Sequence, residues 1–313
     1  MDICLSPESL AQAGDVAAVV RHYRHVASAA ADHHGRYARD TLMAEHSLAM
    51  WRGAALDATG SVAALEDVLK RVVKVRGRYH PDALTLRHDL AIRRGEAANP
   101  TAAVTGLTQA LAEYVRSLGE EHPNTLIARG NLAHWRGEAG DAAGAVAELS
   151  DLMERMSQVR GQHHPDTFIA RSRLAWWLGK AGDPAAAVAA LRDLLDDHVQ
   201  VFGREHRETF RVRQDLASWR GEADDTTGAV AAFLELHHDR RRILGPQDSE
   251  TSGTLGHLAH WQGRSSDVAA AVHTLTDLLD ERLRILGVDH PDALNTRQSL
   301  EFWQGKLAKP GSD

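Results

Sequence analysis

Apolar side chains recur three and four residues apart, as in Val146, Leu149, Leu152 and Val159, and nowhere on strictly alternate residues, so the pattern predicts helices and no strand. Two kinds of helix alternate. Helix A follows a His-Pro-Asp-like tripeptide, with Pro81, Pro123, Pro165 and Pro291 in its first turn, where the missing N–H would have no intrahelical partner anyway. It is predicted to run about 14 residues to the glycine of a tryptophan-x-glycine signal, read as a left-handed cap. Helix B opens at Asp15, Asp57, Asn99, Asp141, Asp183, Asp225 or Asp267, whose side chains suit an N-cap, and stops at a second glycine such as Gly161. Leu84, Leu90, Ala91 and the tryptophan position mark the buried columns of helix A.

The whole pattern has a period of 42 residues without an insertion: the His slot falls at 80, 122, 164, 206, 248 and 290. Tryptophan stands at 51, 135, 177, 219, 261 and 303, with Arg93 as the exception. A helix pair apolar on one side buries its core only by stacking on neighbours, so the expected fold class is all-α, a right-handed α-solenoid of antiparallel helix pairs. The expected organisation is a degenerate partial repeat over 1–14, one solenoid of about seven repeats over 15–309, and a tail over 310–313.

Leu132-Ala133, Gly140-Asp141, Ala145-Val146 and the junction Leu118-Gly119-Glu120-Glu121-His122-Pro123, at this period, resemble tetratricopeptide repeats of the kinesin light chain kind. Trp135-Arg136-Gly137 departs from that pattern, which usually has an aliphatic residue, a Tyr and a polar residue there. The resemblance implies a superhelix that binds protein or peptide on its concave, helix-A side.

Columns that fail to repeat are where a particular partner would be read. On helix A they leave a stripe containing His46, Met50, His88, Ile92, Ile127, Gly130, His134, Ser172, Trp176 and Gln214, apolar with histidines in the first four units and polar in the last three. These are the candidate peptide-binding residues, with Gly130 and Ser172 leaving space beside Trp176. A second column, Arg87, Arg129, Arg171 and Arg213, is a candidate anion clamp. Its competing reading is structural pairing with an acid ladder on helix B, Asp67, Asp151, Asp193, Glu235 and Asp277.

A formal charge of −7 argues against nucleic acid as partner, and no run reaches the ~18 apolar residues of a membrane span. The start lacks the pattern of a secretory signal, so a cytoplasmic protein is expected. The single Cys4 offers neither a disulfide framework nor a persuasive nucleophile. Of 19 histidines, His80, His122, His164, His206 and His290 belong to the junction and are read as capping groups. His22 with His25 and His257 with His260 lack the Glu of a zinc-protease helix, so no metal is expected, and no cofactor. No phosphate loop, nucleophile elbow or dinucleotide fingerprint occurs.

Three functions remain in view: a non-enzymatic protein- or peptide-binding scaffold, a regulatory or sensor arm related to larger signalling ATPases or transcriptional activators, and a small-molecule binder or enzyme using a pocket of His88, Glu96, His134 and Glu138. The chain stops just after a helix A, and with Leu300, Trp303 and Leu307 expected to be uncovered, a homo-oligomer through that solenoid end is a further expectation.

Overall fold

The computed structural model describes residues 16–55 and 57–308. The expected partial repeat at 1–14, the cap at Asp15 and the tail at 310–313 lie outside them. The described residues form helices α1 (Val16–His34), α2 (Arg39–Ala54), α3 (Ala58–Arg76), α4 (Pro81–Glu96), α5 (Pro100–Leu118), α6 (Pro123–Glu138), α7 (Ala142–Arg160), α8 (Pro165–Lys180), α9 (Pro184–Phe202), α10 (Arg207–Glu222), α11 (Thr226–Ile243), α12 (Ser249–Arg264), α13 (Val268–Leu286) and α14 (Pro291–Ala308), with no strand among them. The fold class is all-α. Two compact units are present, one up to Ala170 and one from Arg171. In each, consecutive antiparallel helices stack as an α-solenoid.

Local chemistry starts each helix where the spacing predicts. His80 Nδ1 accepts the Asp82 backbone N–H at 3.2 Å, and His122, His164, His206 and His290 repeat the contact, as does the Asp248 carboxylate. Asp57, Asn99, Asp141, Asp183, Asp225 and Asp267 each accept the backbone N–H three residues on, at 2.9 to 3.0 Å. Thr41, Thr125, Thr167 and Thr209 tie the turn by donating to the carbonyl of the glycine that ends helix B. That glycine is left-handed throughout, with φ of 90° at Gly77 and 91° at Gly161.

Helix A is longer than the sequence predicts, 16 residues from α2 to α12, because the glycine of the tryptophan-x-glycine signal lies inside it. This glycine is no cap. A Cβ at Gly95 would stand 2.6 Å from the Trp135 ring, and Gly221 and Gly263 meet Trp261 and Trp303 in the same way. The glycine is the socket for the indole of the next repeat, and Arg93, the exception in the tryptophan column, lies on Gly53. The left-handed residue comes three positions later, at Ala98, Gly140, Gly182, Asp224 and Ser266.

The cores are shared between repeats, as stacking requires. Leu42 and Ala49 of α2 pack with Leu65, Val68 and Val72 of α3 and with Ala83, Leu86 and Leu90 of α4. In the second unit Phe210, Phe233 and Trp261 join α10, α11 and α12, and Leu300 of α14 is buried with Leu275 and Leu278. Of the side chains expected to be uncovered at α14, Leu300 is therefore enclosed by α13 and Leu307 is exposed.

Candidate functional site

In the first unit the helix-A faces of α2, α4 and α6 build one polar chain. His46 Nε2 lies 2.8 Å from Asp89 Oδ2, His88 Nδ1 lies 3.1 Å from Asp89 Oδ1, and Asn131 Nδ2 lies 2.8 Å from His88 Nε2. The amide of Asn131 donates to His88 Nε2, so the ring carries its hydrogen on Nδ1 and donates it to Asp89. Burial by itself would push the Asp89 carboxyl up, but the hydrogen bonds from His46 and His88 outweigh it and hold the group at about 2. Tyr114 stands edge-on to His88 at 6.3 Å between centroids, and burial raises its hydroxyl against the hydrogen bond with Thr85.

Beside His46 a hollow of about 390 Å³, open mouth included, is lined by Leu42, Met43, Val72, Asp82, Thr85 and Leu86. Met50 and Ile92 are partly buried against the cores, Ile127 is exposed, Gly130 is buried, and His134 stands edge-on to Trp135. His88, which the stripe singled out, thus meets His46 through Asp89, while His134 sits apart on Trp135.

In the second unit Ser172 is half-buried and Trp176 is 42% exposed, edge-on to Trp219 at 5.7 Å with the Lys180 ammonium 4.9 Å over its ring. The Gln214 side-chain oxygen accepts from Arg240 at 2.7 Å. Arg240 is fully enclosed and also donates to Thr254 and to the Glu250 carbonyl.

The arginine column is paired. Arg87 reaches Glu113 at 2.7 Å, Arg171 reaches Asp197, Arg213 reaches Asp239 at 2.8 Å, and Arg129 comes within 3.9 Å of Glu120. Asp197 and Asp239 stand one turn beyond the acids expected at Asp193 and Glu235, whereas the acid near Arg129 is Glu120, in the turn before α6, and not Asp151. In the first repeat the polarity is exchanged, Glu45 on helix A meeting Arg71 on helix B. An anion arriving at Arg87, Arg171 or Arg213 has a carboxylate to displace.

Sequence reasoning missed the column next to the stripe: Ser47, Asp89, Asn131, Arg173, Asp215, His257 and Ser299. A polar residue fills it in all seven repeats beside the buried Leu90 and Ala91 positions, a signal visible in the alignment of the repeats. Among the described residues no group of three or more His, Cys, Asp or Glu is placed to hold a metal ion, and no helix is long and apolar enough to cross a membrane.

A tetratricopeptide repeat profile matches residues 167–208. No curated protein matches the chain. Among solved structures, the kinesin light chain nearly identical TPR-like repeats of Podosopora anserina are 22% identical, covering 64% of this chain and 95% of theirs with a TM-score of 0.56. A Rap protein complexed with competence and sporulation factor is 12% identical over 92% of this chain and 85% of its own, at a TM-score of 0.52. A signal transduction ATPase with numerous domains from Pyrococcus horikoshii, which has a tetratricopeptide repeat sensor, is 11% identical at a TM-score of 0.58, and the match spans 98% of this chain but 45% of that one. At these identities the likeness concerns fold. With the match to one repeat, the unbroken period and the helix pairs of both units, the chain has the tetratricopeptide repeat fold, and its 42-residue repeats are similar to the kinesin light chain TPR-like repeats.

Proposed function

We propose that the chain is a non-enzymatic scaffold that holds a protein or peptide segment along the helix-A face of its repeats. The observation that carries this reading is the contrast between columns. Scaffold positions close on one another, glycine on tryptophan and cap on backbone, whereas the helix-A stripe leaves Met43, Ile127 and Trp176 uncovered next to polar side chains. Uncovered apolar groups rimmed by polar ones suit a partner surface. The Rap protein complexed with competence and sporulation factor is a precedent for this fold holding a partner.

A sensor arm within a larger signalling protein is the second reading, favoured by the similarity to a Pyrococcus horikoshii signal transduction ATPase that has a tetratricopeptide repeat sensor. Both readings use the same face and a cytoplasmic setting, with neither nucleic acid nor membrane as partner. Native mass spectrometry of the protein purified from its own source cells tests the scaffold reading. A retained polypeptide that is lost in the Trp176→Ala, His134→Ala double variant, with the helical fold intact, is expected. A retained small molecule or metal ion, or a polypeptide that the double variant still holds, contradicts it.

A further inference from the structure

Two charged side chains in the inner polar column of the second unit have no partner. Arg173 on α8 and Asp215 on α10 stand at the same place in successive repeats and are half-buried, and neither makes a hydrogen bond or ion pair with another described residue. The cations nearest Asp215 are engaged elsewhere, Arg240 with Gln214 and Thr254, Arg211 with Glu208 and Glu250.

A charge drawn out of water without a partner costs the folded protein free energy. At the same column in the first unit Asp89 has two histidines for partners. Burial accordingly pushes the Arg173 guanidinium down and the Asp215 carboxyl up to about 6. One turn from Arg173 is the exposed Trp176. On the next helix A beyond Asp215, Gly253 and Gly256 sit mid-helix on α12 with nothing within 4 Å of where a Cβ would be, unlike Gly221 and Gly263, so no packing inside the protein calls for them. The space lies open to an approaching backbone.

We propose that Arg173 and Asp215 bind a peptide segment that presents a carboxylate to the first and, about three residues along an extended chain, a cation to the second, with an apolar side chain against Trp176. This deepens the scaffold reading by giving the partner a charge pattern, and it rests on that reading.

The test is selection of random dodecapeptides displayed on phage against the full chain, followed by titration of the enriched peptide, made synthetically, into variants. Enriched peptides are expected to carry Asp or Glu about three residues from Lys or Arg, with an apolar residue nearby. Arg173→Ala and Asp215→Asn should each weaken binding about tenfold or more, while leaving the melting temperature unchanged or higher, since each removes an unpaired charge. Arg173→Glu should recover binding when the peptide acid is replaced by Lys. Enrichment that depends on Trp176 or His46 but shows no charge pair, or that ignores both charge variants, overturns this assignment and leaves the scaffold reading standing. No enrichment at all overturns both.

Discussion

Asp89 and Asp215 stand at the same place in different repeats, yet their surroundings move their acidity in opposite directions. Asp89, held at about 2 against an ordinary 3.8, binds its proton more weakly in the folded chain than in the unfolded one. It therefore contributes stability that is present above pH 3.8 and lost as the pH falls toward 2. Asp89→Asn is expected to cost about 2 kcal/mol near neutral pH, with the difference vanishing in acid. Asp215, raised to about 6, binds its proton more tightly in the folded chain, so its ionised form weighs against folding above pH 6, and that burden is relieved as the pH falls toward 3.8. Asp215→Asn should gain about 1–3 kcal/mol at pH ~8 and nothing below pH ~3.8. Denaturant titrations of both variants across this range read the two signs directly. At the helix-A ends, Ala98, Asp224 and Ser266 have φ of 65°, 67° and 70°, where a Cβ is strained. Glycine at any of them should stabilise the protein by up to about 1 kcal/mol in the same assay.

The socket between glycine and tryptophan joins one helix A to the next. Gly221→Ala would bring a Cβ within 2.3 Å of the Trp261 ring and is expected to destabilise by about 1–3 kcal/mol through overpacking. Gly305 has nothing within 4 Å, so Gly305→Ala should be neutral or stabilise by up to about 1 kcal/mol, through helix propensity alone. Equal losses in both variants, measured by thermal unfolding, would refute the socket. This is also where reading the elements from sequence stops. The period, the capping residues and the alternation of two helices are local and legible. The tryptophan-x-glycine signal falls so close to the end of helix A that it reads as a cap, and its cause, an indole from the next repeat, is a contact that only stacking creates.

Within each unit the scaffold was readable because it repeats, and the site was only half readable because it does not. The stripe contains His46, His88 and Trp176, but Asp89, which joins the first two, and Asn131, which donates to His88, lie in the column beside it. Asp215 and Arg173 lie in that column too. A position that is polar in every repeat but never the same residue has no periodic identity to notice, and its partners come from helices 42 residues away. The arginine column was legible as ion pairs, though Asp197 and Asp239 sit one turn beyond the acids expected and Glu120 lies outside that ladder, because side-chain reach is not written in spacing.

The scaffold proposal places a polypeptide partner on the helix-A face. Photo-cross-linking tests this, with a benzophenone side chain placed singly at Ile127 or Trp176 on that face and at Val75 or Val201, which are at least as exposed as Ile127 and lie on helix B. Illumination of the complex with the polypeptide retained from source cells should give cross-links from 127 and 176 and none from 75 and 201. Cross-links from the helix B positions, with none from helix A, would contradict the account.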